Sequence, residues 1–180
     1  MTTASETTPT LHPGTWTLDT AHSSVGFAIR HLGIAKVRGR FSRFDTEFVV
    51  DDSGAATLGA TIHLDSFDTG NSHRDEHMRA ADFLDVANRP TLTFRADAPV
   101  RIADTFTVTG QATMGNTSAP VTLAVTWGGT ADFAPANERH TGFSATGTIK
   151  RSDFGVGGSM PGVLSDTVTI ELDIQLVEPK

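Results

Sequence analysis

The sequence contains no cysteine, and this absence restricts the chemistry open to the protein. Without a thiol there can be no thiolate zinc site, iron–sulfur cluster, disulfide bond or cysteine nucleophile. The chain also lacks any run of about eighteen apolar residues, roughly the minimum for a membrane-spanning helix. We therefore expect a soluble protein whose function does not depend on thiol chemistry.

A Lys/Arg run and a basic helix face are absent as well. The chain has 14 Lys and Arg against 21 Asp and Glu, which gives a formal net charge of −7. An acidic chain without a Lys/Arg run repels phosphate backbones. We expect no nucleic-acid partner.

The N-terminal residues 1–14 have no basic region, apolar stretch or small-residue cleavage site of the kind found in secretory signals. We interpret them as a disordered leader and expect a cytoplasmic location. The remaining residues, 15–180, are a natural length for one domain, which can bury roughly 70% of its unfolded surface.

The dominant positive signal is alternation of apolar and polar residues, which is typical of half-buried β-strands. It runs through eight stretches, at residues 25–31, 37–41, 58–64, 92–96, 106–114, 121–127, 143–149 and 168–176. Turn-forming residues such as Asp51–Gly54 and Gly128-Gly129 separate the stretches. We predict about eight antiparallel strands that close into a barrel or pack as a sandwich, since an open sheet would expose its edges.

One segment, residues 72–80, breaks the alternation and is predicted to form a short helix. Ser72 is a candidate N-cap, with Asp75 in the position of the reciprocal residue of a capping box. The same segment contains His73, Glu76 and His77 in an H-x-x-E-H pattern, which could hold zinc in a hydrolase. A catalytic zinc needs a third protein ligand, however, and the pattern does not supply one.

Small residues on the presumed inner faces of the strands would leave room at a barrel axis. They are Gly39, Ala60, Ala96, Gly110, Ala112, Ala145 and Gly147. Alternation alone does not distinguish an open axis from a filled one, because eight-stranded barrels occur in both forms. A barrel with a filled core that binds a partner protein is therefore an alternative.

Two polar groups near strand ends also have competing interpretations. Arg151 beside Asp153 indicates a surface ion pair or, alternatively, a contact to a ligand head group. Asp19, His22 and Ser23 could suggest a hydrolase, but neighbouring strand residues point to opposite faces. A turn-and-cap role is the preferred interpretation of these three residues.

Several spaced motifs resemble the YceI-like polyisoprenoid-binding family, in a consistent order from about Gly14 to Val177. The matching residues are Trp16–Phe27, His31, Val37, Gly39, Phe41, Ser66, Thr69, Asp75, His77, Asp82-Phe83, Asp85, Pro90, Phe94, Ile149–Val156, Asp166 and Val168. The stretch Thr113–Val121 departs from the family pattern, with Asn116 in place of Gly and Ala119 in place of a basic residue.

The resemblance implies an all-β, eight-stranded antiparallel barrel of lipocalin-like architecture whose apolar interior binds, stores or transports a long-chain isoprenoid lipid. The ligand would be of the polyprenyl phosphate or isoprenoid quinone type. No catalysis, metal or cofactor is implied. The expected partners are this lipid and transient contacts with a membrane or lipid-donor protein, and a homodimer is compatible with the sequence.

Strand parity and the resemblance together predict the ligand-binding residues. They are Phe27, Ile29, His31, Phe41, Ile62, Leu64, Phe83, Phe94, Val108, Met114, Leu123, Phe143, Ile149, Arg151, Phe154, Ile170 and Leu172. Among them, Arg151 and His31 are the candidates for contact with a head group, because a phosphate or quinone oxygen needs a donor at the mouth of an apolar site.

Overall fold

The structure, a computed structural model, describes residues 10–180. The strands, numbered β1 to β13, are Gly14–Thr15, Thr17–Leu18, Ser24–His31, Ala35–Phe41, Phe44–Val50, Ala55–His63, Phe67–Asp68, Thr91–Ala96, Val100–Arg101, Thr105–Met114, Thr117–Phe133, Glu138–Lys150 and Leu164–Val177. The helix α1 is Ser72–Arg79, and single 3-10 turns lie at Thr20–His22, Leu64–Ser66, Ala134–Ala136 and Arg151–Phe154.

The strands form one antiparallel sheet that curls into a barrel-like fold, as predicted. Along the sheet the order is β1-β5-β6-β8-β10-β11-β12-β13-β3-β4-β7. The consecutive strands β1 and β2 pair with β5 and β13 respectively, so the N-terminal segment links strands that lie far apart in that order. The curling brings the alternate apolar residues of each strand to a common interior.

The number of strands differs from the predicted eight. In the described part of the chain, nine strands have six or more residues and four have two. The long strand missing from the prediction is β5, which pairs with β6 from Phe44↔Ile62 to Val50↔Ala56. The predicted turn that follows β5 is present, because Asp51 Oδ1 accepts hydrogen bonds from the N–H groups of Ser53 and Ala55.

The predicted turn at Gly128-Gly129 is wrong. These residues lie inside β11, where the pairing with β12 shifts register between Trp127 and Thr130. The irregularity is a β-bulge, and glycine is common in β-bulges as well as in turns. Buried Thr141 holds it, since its hydroxyl accepts from Trp127 Nε1 at 2.8 Å and donates to Gly129 O at 3.0 Å.

The N-terminal segment covers one end of the barrel. Leu11 and Trp16 are buried in a cluster with residues from β5, β6 and β13. Trp16 Nε1 donates to His12 O at 3.0 Å. The predicted disordered leader was residues 1–14. Residues 1–9 lie outside the described residues, so the prediction is not tested there. From residue 10 onwards it is wrong, because Leu11 belongs to the packed core.

Helix α1 agrees with the helix predicted at residues 72–80, but its N-cap lies one residue before the predicted Ser72. Its N-cap is Asn71, whose side chain accepts from the N–H of Arg74, so Ser72 is the first helical residue. Asp75 does not complete a capping box. It is buried instead, and accepts hydrogen bonds from the N–H and hydroxyl of Thr69, which fixes α1 against the end of β7.

None of the helices in residues 10–180 combines the length and the hydropathy needed to cross a membrane.

Candidate apolar ligand site

The interior of the barrel holds a cavity of about 640 Å³. This volume falls within the roughly 300–1,000 Å³ of typical small-molecule sites. Aliphatic and aromatic side chains make up most of the wall. Phe106 and Met114 of β10 both line the cavity and are eight residues apart, which corresponds to about 26 Å along a strand. The cavity is therefore elongated. The axis is therefore open, unlike that of a filled-core barrel.

All seventeen residues predicted to bind a ligand lie on the wall of this cavity. Several, such as Phe27, Ile29 and Ile170, are only partly buried although their strands lie inside the sheet. Their remaining exposure faces the open interior. The structure thus brings the predicted residues together, while their role in binding stays a prediction.

The cavity ends against the cluster around Trp16. Leu176 and Phe48 line the cavity and also pack in this cluster, whereas Leu11 and Trp16 lie behind them and do not line it. At the opposite end the lining comes from α1, the loop after it, the loop after β12 and the β3–β4 hairpin, through residues such as Met78 and Val163. This second end is the mouth of the cavity.

Three phenylalanines form an aromatic group in the wall. The ring of Phe27 lies 5.2 Å from that of Phe67 and 5.6 Å from that of Phe41, measured between centroids. Phe27 also lies over Gly39 on the neighbouring strand, because a Cβ added there would overlap the Phe27 ring. Gly39 was expected to leave room at the axis, and this expectation is wrong, since the Phe27 ring fills that space.

The other two glycines expected to leave room are also closely approached. A Cβ at Gly110 would overlap the carbonyl of Arg95, and one at Gly147 would lie 2.8 Å from Thr122 O. These glycines allow close backbone packing between strands. The space in the cavity therefore does not come from them.

The predicted set omitted part of the wall. The additional apolar lining residues include Val37, Phe44, Phe48, Leu58, Phe67, Met78, Leu84, Leu92, Val121, Val125, Ala145, Met160, Val163, Val168 and Ile174. The residues Phe44, Thr46, Phe48 and Val50 of β5 alternate like those of the other strands, so a sequence signal existed for this strand. Met78, Met160 and Val163 lie outside strands, where alternation gives no signal.

Arg151 is not the surface residue that the sequence indicated. Its side chain is buried, and the guanidinium donates to the carbonyl oxygens of Val156, Gly158, Leu164 and Ser165 at 2.7–3.2 Å. The predicted ion pair with Asp153 is absent from the described contacts. Arg151 thus organises the loop between β12 and β13, and most of its donors are already used.

The carboxylate of Asp166 also helps to hold the loop between β12 and β13. Asp166 accepts hydrogen bonds from the hydroxyl and the N–H of Ser152, at 2.6 and 2.9 Å. These bonds, with smaller contributions from the positive charges of Arg151 and Lys150, hold the pKa of Asp166 below its ordinary value of 3.8. The loop at the cavity mouth is therefore fixed by polar contacts at both of its ends.

The zinc interpretation receives no support from the geometry of α1. Among residues 10–180, no group of three or more His, Cys, Asp or Glu side chains is arranged to hold a metal ion. His77 Nε2 lies 3.3 Å from Asp82 Oδ2, and its ring contacts Phe83 edge-on. His73 and Glu76 are exposed.

The turn-and-cap interpretation of the segment after β2 is confirmed for the side chains of Asp19 and His22. Asp19 is the N-cap of the 3-10 turn, accepts from the N–H of Ala21, and lies 2.8 Å from His22 Nδ1. Ser23 donates instead to Gln175 O on β13. Asp19 and His22 therefore stabilise the turn, and Ser23 joins it to β13.

The fold and its elongated apolar cavity define a barrel-like protein able to enclose an apolar molecule. The sequence matches the YceI-like domain over residues 16–176. It is 34% identical to protein YceI of Salmonella arizonae over 161 residues, which cover 88% of this chain and 83% of that protein. The chain belongs to the YceI-like family.

Solved structures show the same fold. BcnA of Burkholderia cenocepacia matches with a TM-score of 0.76 at 25% identity, covering 88% of this chain and 98% of that one. The YCEI protein of Campylobacter jejuni matches with a TM-score of 0.73 at 31% identity, covering 91% and 98%. A polyisoprenoid binding domain from Saccharophagus degradans matches with a TM-score of 0.66 at 17% identity, covering 93% and 100%, and shows similarity of fold alone.

Proposed function

We propose that this protein binds, stores or transports a long-chain isoprenoid lipid, without chemical change, in the cavity of the barrel. The observation that carries the proposal is the elongated apolar cavity of about 640 Å³. Membership of the YceI-like family supports it, and the structural neighbour from Saccharophagus degradans is itself described as polyisoprenoid binding.

Apolar burial supplies the free energy of binding in this proposal. Each Å² of the tail removed from water contributes on the order of 25 cal/mol, offset by the cost of immobilising a flexible chain. A branched prenyl tail needs no polar partner deep in the cavity. The wall fits this requirement, because Phe27, Leu172 and Ile170 at mid-height are all apolar.

The head group, a phosphate or a quinone ring, would remain at the mouth. His31 lies at the end of β3, is exposed and borders the cavity, so its imidazole can donate to a ligand oxygen. Arg74 of α1 also borders the mouth, with its Nε and one terminal nitrogen already bonded to Thr69. Because Arg151 is committed to loop carbonyls, we assign it a supporting role.

Mass spectrometry of lipids that co-purify with the protein tests the proposal. The protein is purified without detergent and its organic extract is compared with that of Leu172→Arg, which places a charge on the cavity wall. The matched control is Thr146→Arg, an exposed residue on the neighbouring strand whose cross-strand partner is Glu171.

We expect a prenyl lipid in extracts of the wild type and of Thr146→Arg, and a loss of roughly tenfold or more in Leu172→Arg, because an unpaired charge in an apolar site opposes binding. Circular dichroism and the thermal midpoint establish that each variant is folded. Equal amounts of prenyl lipid in the folded Leu172→Arg variant, or none in the wild type even after incubation with prenyl lipids, would contradict the proposal.

A further inference from the structure

The cavity mouth carries an exposed apolar surface. In the described residues the large apolar side chains that are exposed are Leu32, Ile34, Phe133 and Val163. Three of the four lie together, because Leu32 and Ile34 form the tip of the β3–β4 hairpin and the N–H of Leu32 donates to Val163 O at 2.8 Å. Ile34 is 82% exposed. We call Leu32, Ile34 and Val163 the apolar tip.

The backbone of the tip is held in an unfavourable conformation for an apolar residue. Leu32 has φ of 54°, in the left-handed region that Gly and Asn adopt much more readily. A leucine there gains little from packing in the isolated protein, since half of its surface faces solvent. An external apolar contact would account for a leucine at this position.

Positive charges lie directly behind the tip. Arg30 and Lys36 face each other across β3 and β4, both exposed, and neither has a carboxylate within ion-pair distance in the described part of the chain. Residues 28–44 contain five Lys or Arg and no Asp or Glu, although the whole chain has a net charge of −7. The other three, Arg38, Arg40 and Arg43, pair with Glu171, Asp68 and Asp65.

We propose that the apolar tip, with Arg30 and Lys36, docks the mouth of the cavity onto an anionic lipid bilayer. Exposed apolar side chains enter the boundary between head groups and acyl chains, and cations beside them contact anionic head groups. Val163 and His31 border the cavity, so docking places its mouth against the bilayer. Docking would let a lipid pass between the bilayer and the cavity without entering water, and this purpose rests on the proposed function. The contact with the bilayer does not depend on the proposed function.

Flotation with lipid vesicles tests this contact. Vesicles of phosphatidylcholine alone are compared with vesicles of phosphatidylglycerol and phosphatidylcholine in equal parts. The tip variant is Leu32→Asn/Ile34→Asn, in which Asn tolerates the positive φ. Its matched control is Phe133→Asn, which removes an exposed aromatic residue at the far end of the barrel.

The charge variant is Arg30→Gln/Lys36→Gln, and its control, Arg139→Gln/Lys180→Gln, makes the same change in net charge away from the mouth. We expect the wild type to bind anionic vesicles more strongly than neutral ones. The tip and charge variants should each lose roughly tenfold or more of this binding, while both controls keep it. Added salt should weaken the binding of the wild type.

Three results would overturn the inference: no preference of the wild type for anionic vesicles, equal binding by the folded tip variant, or self-association in solution that the tip variant abolishes, which would make the tip an interface between two copies. If the protein binds vesicles but no prenyl lipid is ever found in its extracts, the proposed function is contradicted and the docking surface is not. If prenyl lipid is found but the protein does not bind vesicles, the docking surface is contradicted and the proposed function is not.

Discussion

The contact between Phe27 and Gly39 shows how single residues shape the cavity wall. Phe27 points inward from β3 and its ring lies over the Gly39 backbone of β4, stacked on Phe67. Glycine at this position keeps the ring flat against the sheet. Without it, the ring would have to turn towards the interior and occupy part of the space available to a ligand.

Gly39→Ala should therefore destabilise the protein. The added Cβ would overlap the Phe27 ring and lie 2.9 Å from Thr69 Cγ2, and such overpacking typically costs about 1–3 kcal/mol. Urea denaturation would measure the change in the free energy of unfolding. The control is Gly142→Ala, where the nearest atom to the new Cβ is Ile174 O at 3.8 Å. An equally small effect for both variants would contradict this account of the wall.

Residue-level chemistry was the least predictable part of the site. The sequence places Arg151 next to Asp153, which favours an ion pair, yet the guanidinium reaches carbonyl oxygens five to fourteen residues further along the chain. Similarly, the small size of Gly39 suggested an open space that a ring from the neighbouring strand occupies. In both cases the deciding partner is brought near only by the tertiary fold.

At the scale of elements, alternation was the most reliable guide, because each strand has one inward face. It located eight of the nine long strands of the described chain and passed over β5, although Phe44 and Phe48 show the same period. Glycine pairs were less informative. A turn and a bulge both favour Gly, and only the pairing of β11 with β12 beyond Thr130 distinguishes them.

The start of α1 was ambiguous for a related reason. Asn71 and Ser72 are both good N-cap residues, so local preference does not choose between them. The contact of Asp75 with Thr69 anchors the first turn of the helix, with Asn71 as the cap. The cap is therefore Asn71, one residue before the Ser72 that the sequence alone suggested.

The loop between β12 and β13 gives a prediction about pH. Because the pKa of Asp166 is lowered in the folded protein, its ionised form stabilises the fold above the ordinary value of 3.8, and this stabilisation is lost as the pH falls through the lowered pKa. Asp166→Asn should thus be less stable than the wild type at pH 7, and the difference should shrink towards pH 3.

Thermal midpoints of the two proteins across this pH range would measure the difference. Asp153→Asn is the control, since Asp153 is an exposed carboxylate of the same loop with no hydrogen bond or ion pair in the described residues. It should follow the wild type at every pH. A difference between Asp166→Asn and the wild type that stays constant from pH 7 to pH 3 would show that the charge of Asp166 does not contribute.

For the whole molecule, alternation predicted an antiparallel β-fold, but it could not choose between a barrel and a sandwich or predict the open axis. The same inward pattern fits a sandwich, a filled barrel and a hollow one; small inward residues suggested room at the axis, and the resemblance to the YceI-like family favoured the hollow barrel. All seventeen predicted residues border the space, because strand parity assigned the inward strand positions and the resemblance supplied residues outside strands, such as Phe83 and Phe154. The rest of the wall comes from β5, from loops, and from inward positions of located strands that the predicted set left out, such as Leu58, Val125 and Ile174.

An elongated cavity closed at one end predicts that stability depends on the length of the ligand. A ligand that binds only the folded state stabilises it, by about 2.7 kcal/mol at one hundred times its Kd. In a series of prenyl alcohols of increasing length, the thermal midpoint should rise with each added unit, because each buries more apolar surface. The rise should stop once the tail reaches from the mouth to the Trp16 end, a path of about 26 Å measured along a strand, since further units remain in water.

Differential scanning calorimetry at a fixed excess of each alcohol would measure this series. Leu172→Arg should show little shift with any member, whereas Thr146→Arg should follow the wild type, because only the first variant alters the wall. A shift that is independent of chain length, or equal in the folded Leu172→Arg variant, would mean that the tail lies on the outside of the barrel. In Ala145→Phe a larger side chain occupies the cavity at mid-height. If the thermal midpoint of this variant stops rising at a shorter alcohol than in the wild type, the tail lies inside the barrel.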